Sequence, residues 1–348
     1  MKILYGIQGT GNGHISRAME IVPALMKRGH VDTLISGTDS ELHLPFPIKH
    51  RYSGLGFVFG KNGGIDLLST YKKNRLKRFY NEIRTLNLDS YDLIISDFEP
   101  VTAWASMLNK RSCVALSNQA SLLSSRVPTV NNEDFVGKFI IRNYAPCPIN
   151  FGISYARYDD NIYTPIIRKS LIESDVSNQG HFLVYLPAFS DKKIIQFLSQ
   201  FKGVDWRVFS KRTKSKYQTL NLKFFPLDKN EFEREFLSAA GIVTAAGFGT
   251  TTEALHFGKK LLIVPQKHQY EQACNAKALE QMGVARIPSI KDKYMETVRP
   301  WLRSASPVHI KYPDVTEKLI DDILLSYPEG GDAYLDYLTY EQYMLRTA

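Results

Sequence analysis

The chain is expected to be an α/β protein of two doubly wound, Rossmann-like halves, each a parallel sheet wrapped by helices, and three observations lead there. Short apolar runs alternate with amphipathic stretches along most of the chain, as buried parallel strands joined by helices do. The alternation fades between Tyr155 and Gly180 and restarts at His181. The length, 348 residues, suffices for two separate cores.

Residues 2–7 make the first strand. Ile15, Ala18, Met19, Ile21, Val22, Leu25 and Met26 then recur at helical spacing until Gly29 ends the run, and Pro23 predicts a kink inside it. Residues 31–36, 48–52, 93–96 and 113–117 supply further strands, with helices over 66–86 and 100–110. The polar segment 175–180 is a linker, after which strands recur at 181–186, 206–210, 222–225, 242–245 and 261–264. The expected division is 1–160, 161–313 and a helical tail over 314–348.

A formal charge of +9 points to an anionic partner; nucleotide, nucleic acid and acidic lipid all qualify. No nucleic-acid recognition motif appears and the basic residues are scattered, which argues against nucleic acid. No run approaches the roughly 18 apolar residues of a membrane span. The N-terminal residues enter a strand without a signal peptide, so a cytoplasmic location is expected. Cys113, Cys147 and Cys274 lie far apart in sequence and suit a reducing compartment as buried thiols. Neither they nor the histidines have metal-ligand spacing, and no metal or cofactor is expected.

The predicted helix over 66–86 carries Leu67, Leu68, Tyr71, Leu76, Phe79, Tyr80 and Ile83 on one side, with Lys72, Lys73, Arg75, Lys77, Arg78 and Arg84 between them. The plain reading is a solvated basic face. The sharper one is a patch for an acceptor or for peripheral contact with the inner surface of an anionic membrane. Ahead of it, residues 53–64 mix glycines with aromatics and are expected to be mobile.

The most informative stretch is 245–276. An apolar run ending at Ala245 meets glycines at 247 and 249, which let the backbone turn tightly into a helix near Thr250 and Thr251. That helix start offers unpaired N–H groups and a positive dipole end to a phosphate. Glu253, on the first turn, is placed to accept hydrogen bonds from two ribose hydroxyls. The next strand leads into a polar loop with Gln269 and a helix bearing Glu271, Gln272 and Asn275, side chains suited to a sugar.

The first strand closes on Gly9-Thr10-Gly11-Asn12-Gly13-His14. The dinucleotide fingerprint fails because its third glycine position is His14, and a Walker loop fails for want of the Lys-Ser or Lys-Thr pair. A glycine turn remains, delivering one imidazole to the mouth of a cleft, where Gly11, Asn12 and Gly13 form an acceptor-side loop. Sugar transfer to a hydroxyl needs a base, and imidazole serves best when a carboxylate orients its other nitrogen. The strand over 93–96 runs into Asp97-Phe98-Glu99-Pro100, which supplies carboxylates. Capping by His14 and a solvated N-cap pair at Asp97 and Glu99 are the plain alternatives.

In order and spacing these parts resemble GT-B glycosyltransferases, in the branch of the peptidoglycan lipid-intermediate N-acetylglucosaminyltransferase and the plant UDP-glycosyltransferases. The resemblance implies two domains facing across a cleft, acceptor in the first and nucleotide-sugar donor in the second, with the tail crossing back to the first. It implies that Gly247, Gly249, Thr250, Thr251 and Glu253 hold diphosphate and ribose, and that Gln269, Glu271, Gln272 and Asn275 hold the sugar. Phe225 and Leu227 fall where relatives clamp the base, UDP being the family default. By the same resemblance Asp97 orients His14, Glu99 sits beside the acceptor loop, and transfer is inverting and metal-independent. The acceptor, whether glycan, lipid-linked or small molecule, is not legible. A nucleotide-sugar 2-epimerase and a non-catalytic nucleotide-sugar-binding regulator are the alternative functions on this fold.

Overall fold

The computed structural model describes residues 1–37, 44–55, 76–130, 134–304 and 307–327. In chain order the first half contains β1 (Lys2–Gln8), α1 (Asn12–Met26), β2 (His30–Ser36), β3 (His50–Tyr52), α2 (Leu76–Thr85), β4 (Leu93–Asp97), α3 (Pro100–Leu108), β5 (Val114–Ser117), α4 (Asn118–Ser121), α5 (Phe135–Asn143), β6 (Ile149–Ile153) and β7 (Ile162–Tyr163). After α6 (Lys169–Ile172), the second half runs β8 (Phe182–Tyr185), α7 (Asp191–Leu198), β9 (Trp206–Phe209), β10 (Tyr217–Thr219), β11 (Leu222–Phe225), α8 (Lys229–Ser238), β12 (Gly241–Thr244), α9 (Phe248–His256), β13 (Lys260–Ile263), α10 (Tyr270–Gln281) and β14 (Ala285–Arg286). The chain closes with α11 (Met295–Arg303) and α12 (Thr316–Ser326).

Each half builds one seven-stranded sheet, in the orders β3-β2-β1-β4-β5-β6-β7 and β10-β11-β9-β8-β12-β13-β14. The described ladders are parallel except β10 with β11. Strand order reverses between β1 and β4, and again between β8 and β12, and at such points the strand ends open a crevice for ligands.

Both faces of each sheet are covered, which explains the continuous apolar runs. Ile3, Tyr5 and Ile7 of β1 pack with Ile15, Ile21 and Leu25 of α1, whereas Leu4 packs on the other face with Val101 of α3 and Phe79 of α2. The second sheet repeats the period of two, with Leu183, Ile242 and Ile263 on one face and Val184, Val243 and Leu262 on the other. Each such full burial contributes about 1.5–3 kcal/mol.

The helix α12 crosses to the first half. Leu319, Ile320 and Ile323 are buried in the cluster that contains α1. Lys27 and Arg28 pair with Glu317 and Asp321, and the Tyr327 hydroxyl donates to the Ser112 carbonyl.

α1 runs from Asn12 to Met26 with Pro23 inside it. Several expectations are adjusted. The weak stretch around Tyr155 hides β6 and β7, so the first sheet extends to Tyr163, past residue 160. Cys113 and Cys147, far apart in sequence, have sulfurs 3.3 Å apart. Of the basic helix, residues 76–85 are helical; Lys72, Lys73 and Arg75 lie outside the described residues, as do 56–64 of the glycine-aromatic loop. Arg78 pairs with Glu82, whose carboxylate caps the Ser53 and Gly54 amides. Among the described residues no helix is long and apolar enough to cross a membrane.

Candidate active site

The first crevice is lined by the loop after β1 and by the end of β4, where Ile7 and Asp97 pair in register. The Gly9 amide donates to the Ser36 carbonyl at 2.7 Å, which pins the loop to β2. Gly11 then adopts φ 95° and ψ 159°, a conformation open essentially to glycine alone. This turn starts α1 at Asn12 and puts His14 in its first turn.

His14 and Asp97 meet. The His14 Nδ1 lies 2.7 Å from Asp97 Oδ1, with the carboxylate fully buried and only a tenth of the imidazole exposed. Two residues that sequence reasoning missed complete the group. Arg17 donates from Nε to Asp97 Oδ2 at 2.8 Å and from Nη2 to Oδ1, and Nη2 stands 3.0 Å from His14 Nδ1. The Tyr5 hydroxyl donates to Oδ2 at 3.1 Å. Burial pushes the Asp97 carboxyl up, but the Arg17 guanidinium and then His14 outweigh it and hold the group below the usual aspartate range. Arg17 lies three residues from His14 and so on the same face of α1, but nothing in the sequence marks that face as buried.

Asp97 and Glu99 diverge. Glu99 is the N-cap of α3, accepting from the Val101 and Thr102 amides at 2.7 and 2.6 Å, and burial pushes its carboxyl up. Its carboxylate therefore serves the helix, buried rather than solvated. Between them Phe98 takes a left-handed φ of 52°, uncommon outside glycine, and its ring stacks on His14 with centroids 6.3 Å apart. Behind Phe98 lies a cavity of about 200 Å³ lined by Ala115, Leu123, Ile141, Cys147, Arg142 and Asn150. Asn150 Oδ1 is buried there without a partner among the described residues.

The second crevice holds the other glycine turn. Gly247 is the N-cap of α9 with φ −72°, and neither it nor Gly249 takes a left-handed φ. A Cβ on either would meet nothing within 4 Å among the described residues. Glycine here leaves room instead. Thr250 is partly exposed at this opening, whereas Thr251 is fully buried, its hydroxyl bonded to the Gly247 and Phe248 carbonyls and to Tyr155. Phe248 packs against both the first-half and second-half cores, which brings the α9 turn to the α1 side.

Glu253, Glu271, Gln272 and Asn275 are tied to protein partners. Glu253 forms a two-pronged pair with Arg168, at 2.7 and 3.1 Å, and Arg168 also binds Glu233. Glu271 reaches across to the first half, accepting from Asn118 and Gln119 at 2.8 and 2.9 Å. Gln272 accepts from the Gln266 amide, and Asn275 donates to the Ala246 carbonyl at 3.0 Å, which props the glycine turn. Gln269 is the N-cap position of α10, and its Oε1 is buried without a partner among the described residues. The Phe225 ring stacks on Phe209 at 5.1 Å, and Leu227, partly buried, packs on the same core. Sequence reasoning also missed Arg168, Asn118 and Gln119.

Two doubly wound parallel sheets, with glycine turns and polar clusters at their switch points, define the GT-B class. The family model of glycosyl transferase family 1 matches residues 1–304, and the chain belongs to that family and is a transferase. It is similar to an uncharacterized glycosyltransferase of Methanosarcina mazei, at 24% identity over 369 residues, covering 92% of this chain and 93% of that protein. Among solved structures, Acinetobacter baumannii MurG has a TM-score of 0.57 at 13% identity, over 93% of this chain and 99% of that one. UGT2 of Phytolacca americana, complexed with UDP-2-fluoro-glucose and pterostilbene, has a TM-score of 0.56 at 12% identity, over 97% and 98%.

Proposed function

We propose that the protein is an inverting, metal-independent glycosyltransferase using a nucleoside-diphosphate sugar, with UDP as the nucleotide, and an acceptor bound in the first half. The observation that carries this reading is the buried His14–Asp97 pair at the first switch point. In the step proposed, the acceptor oxygen bonds to the anomeric carbon as the bond to the diphosphate breaks. The hydroxyl proton passes to the outward Nε2 of His14, and the diphosphate leaves with the electron pair. A single in-line displacement inverts the anomeric centre. The N-terminal amides of α9 and Thr250, beside the open glycines, steady the leaving group. Metal independence is supported by the carboxylates themselves: Asp97 is engaged by Arg17 and Glu99 by its helix, so neither is left to a cation. The UDP assignment draws on the complexed Phytolacca enzyme.

The cavity behind Phe98 suits the apolar body of the acceptor, with Asn150 Oδ1 as a hydrogen-bond acceptor. Peripheral contact with an anionic membrane is proposed for the same half. Its support is Lys77, Arg78 and Arg84 on α2 together with Phe135, Val136 and Phe139 of α5, which are 75%, 50% and 67% exposed. Co-sedimentation with anionic vesicles at low salt tests this, and absence of binding would remove it.

The decisive experiment is incubation with a panel of nucleotide sugars, with and without chelator, and with NMR of the product anomer. Inverted product formed at the same rate in chelator is expected. Retained configuration, or loss of turnover on chelation, would overturn the mechanism. Exchange of the C2 proton with donor alone would point to the epimerase instead.

A further inference from the structure

We propose that Arg17, acting through Asp97, sets the tautomer of His14 and is thereby a positioning residue for the base; this rests on the reading of His14 as the proton acceptor. Asp97 is fully buried, and a lone carboxyl in such a place favours its neutral form. Protonated, it would turn from acceptor to donor at His14 Nδ1. Nδ1 would then accept, the single ring proton would sit on Nε2, and the outward nitrogen would have no lone pair for the acceptor's proton.

The guanidinium prevents this, because arginine stays charged under all conditions that proteins meet. Its fork engages both oxygens, Nε on Oδ2 and Nη2 on Oδ1, and Tyr5 adds a third donor on Oδ2. Oδ1 is left to face Nδ1 at 2.7 Å, and with the carboxylate ionised that nitrogen must be the donor. Nη2 stands 3.0 Å from Nδ1, so it would donate to that nitrogen if the carboxylate were lost, producing the wrong tautomer by another route. The charged and titratable groups facing this centre are Tyr5 from β1, Arg17 from α1 and Asp97 from β4. Glu271 of α10 acts on Arg17 from across the cleft.

The test uses the full chain with ¹⁵N-labelled histidine, the His14 ring signals assigned by comparison with His14→Gln. In the wild type at neutral imidazole, Nδ1 is expected to carry the proton and Nε2 to show the shift of a bare nitrogen. Arg17→Met should move the proton to Nε2 in part or whole. Turnover should fall by about a hundredfold to ten-thousandfold, the range for loss of general base action, while affinity for the nucleotide diphosphate holds. Arg17→Lys, which keeps the charge, should keep the wild-type tautomer and restore most of the turnover. A wild-type His14 protonated on Nε2 overturns the proposal without any variant, as does a folded Arg17→Met with the wild-type tautomer. The spectrum requires no substrate. A His14→Ala variant with undiminished transfer would instead remove the base reading and leave the tautomer result standing.

Discussion

The two switch points of this molecule are built differently. At the first, His14, Asp97, Arg17 and Tyr5 bond to one another around a single buried carboxylate. At the second, the glycine turn is bare, and the carboxylates predicted to read ribose and sugar rest on Arg168 and on Asn118 with Gln119. On the function proposed above, the first switch point is a preorganised acceptor side, which is where electrostatic catalysis gains most. The second, as a donor side, would exchange protein partners for ligand hydroxyls, and its side chains would then tune affinity rather than the chemical step.

If that contrast holds, the largest single effect lies in the first half. His14→Ala should lower turnover by about a hundredfold to ten-thousandfold while leaving the nucleotide diphosphate affinity nearly unchanged by calorimetry. Asp97→Asn should follow in the same direction, because an amide cannot stabilise an imidazolium. A His14→Ala enzyme with wild-type turnover would break the contrast outright. Glu253→Ala comes next and reverses the pattern. Hydrogen bonds to a charged group are worth about 1.5–3 kcal/mol, so roughly tenfold or more in affinity should be lost, for diphosphate and full donor alike. The replaced partner matters here: affinity that survives intact would mean that Glu253 stays with Arg168 as a structural pair.

How much of this was legible follows the same division. Strands buried on both faces announce themselves as apolar runs, and β1, β2, β4, β8, β12 and β13 were all readable. By contrast β7 and β14 span two residues each, too few to show a period, whereas β6 alternates Ile149, Phe151 and Ile153 with Asn150 and Gly152, a short period of two that the sequence reading passed over. His14 and Asp97 could be paired because a glycine turn and a strand end match the places where the plant glycosyltransferases carry such a pair. Arg17 could not, since a charged residue within a helix ordinarily faces water, and only the approach of β4 shows that this one is buried. Likewise Arg168 lies 85 residues from Glu253 in the connection between halves, where local pattern carries no information.

A smaller effect separates sugar from nucleotide. Gln272→Ala should weaken only the sugar-bearing donor, by about 1 kcal/mol or roughly fivefold, since a neutral hydrogen bond is at stake. Equal losses for diphosphate and donor would show that its bond to the Gln266 amide merely shapes the loop for both.

The smallest expected effect tests the two glycine turns against each other. Gly11 sits at φ 95°, so a methyl there strains the backbone whatever space surrounds it. Gly249 has no positive φ, and a methyl group on it would find nothing within 4 Å among the described residues. It also lies inside the first turn of α9, where alanine is the better helix former. Gly249→Ala should therefore leave the melting temperature unchanged or slightly raised, a stability change of less than about 1 kcal/mol. If the opening is where phosphate oxygens approach the α9 amides, the same methyl should crowd them, lowering nucleotide diphosphate affinity by about 0.5 kcal/mol, roughly twofold to threefold. Calorimetry and thermal melting on Gly249→Ala and Gly11→Ala separate the outcomes. Loss of stability at Gly11 with loss of affinity at Gly249 keeps the contrast between a rigid acceptor turn and an open donor turn, whereas unchanged affinity in a stable Gly249→Ala protein would move the diphosphate away from this helix.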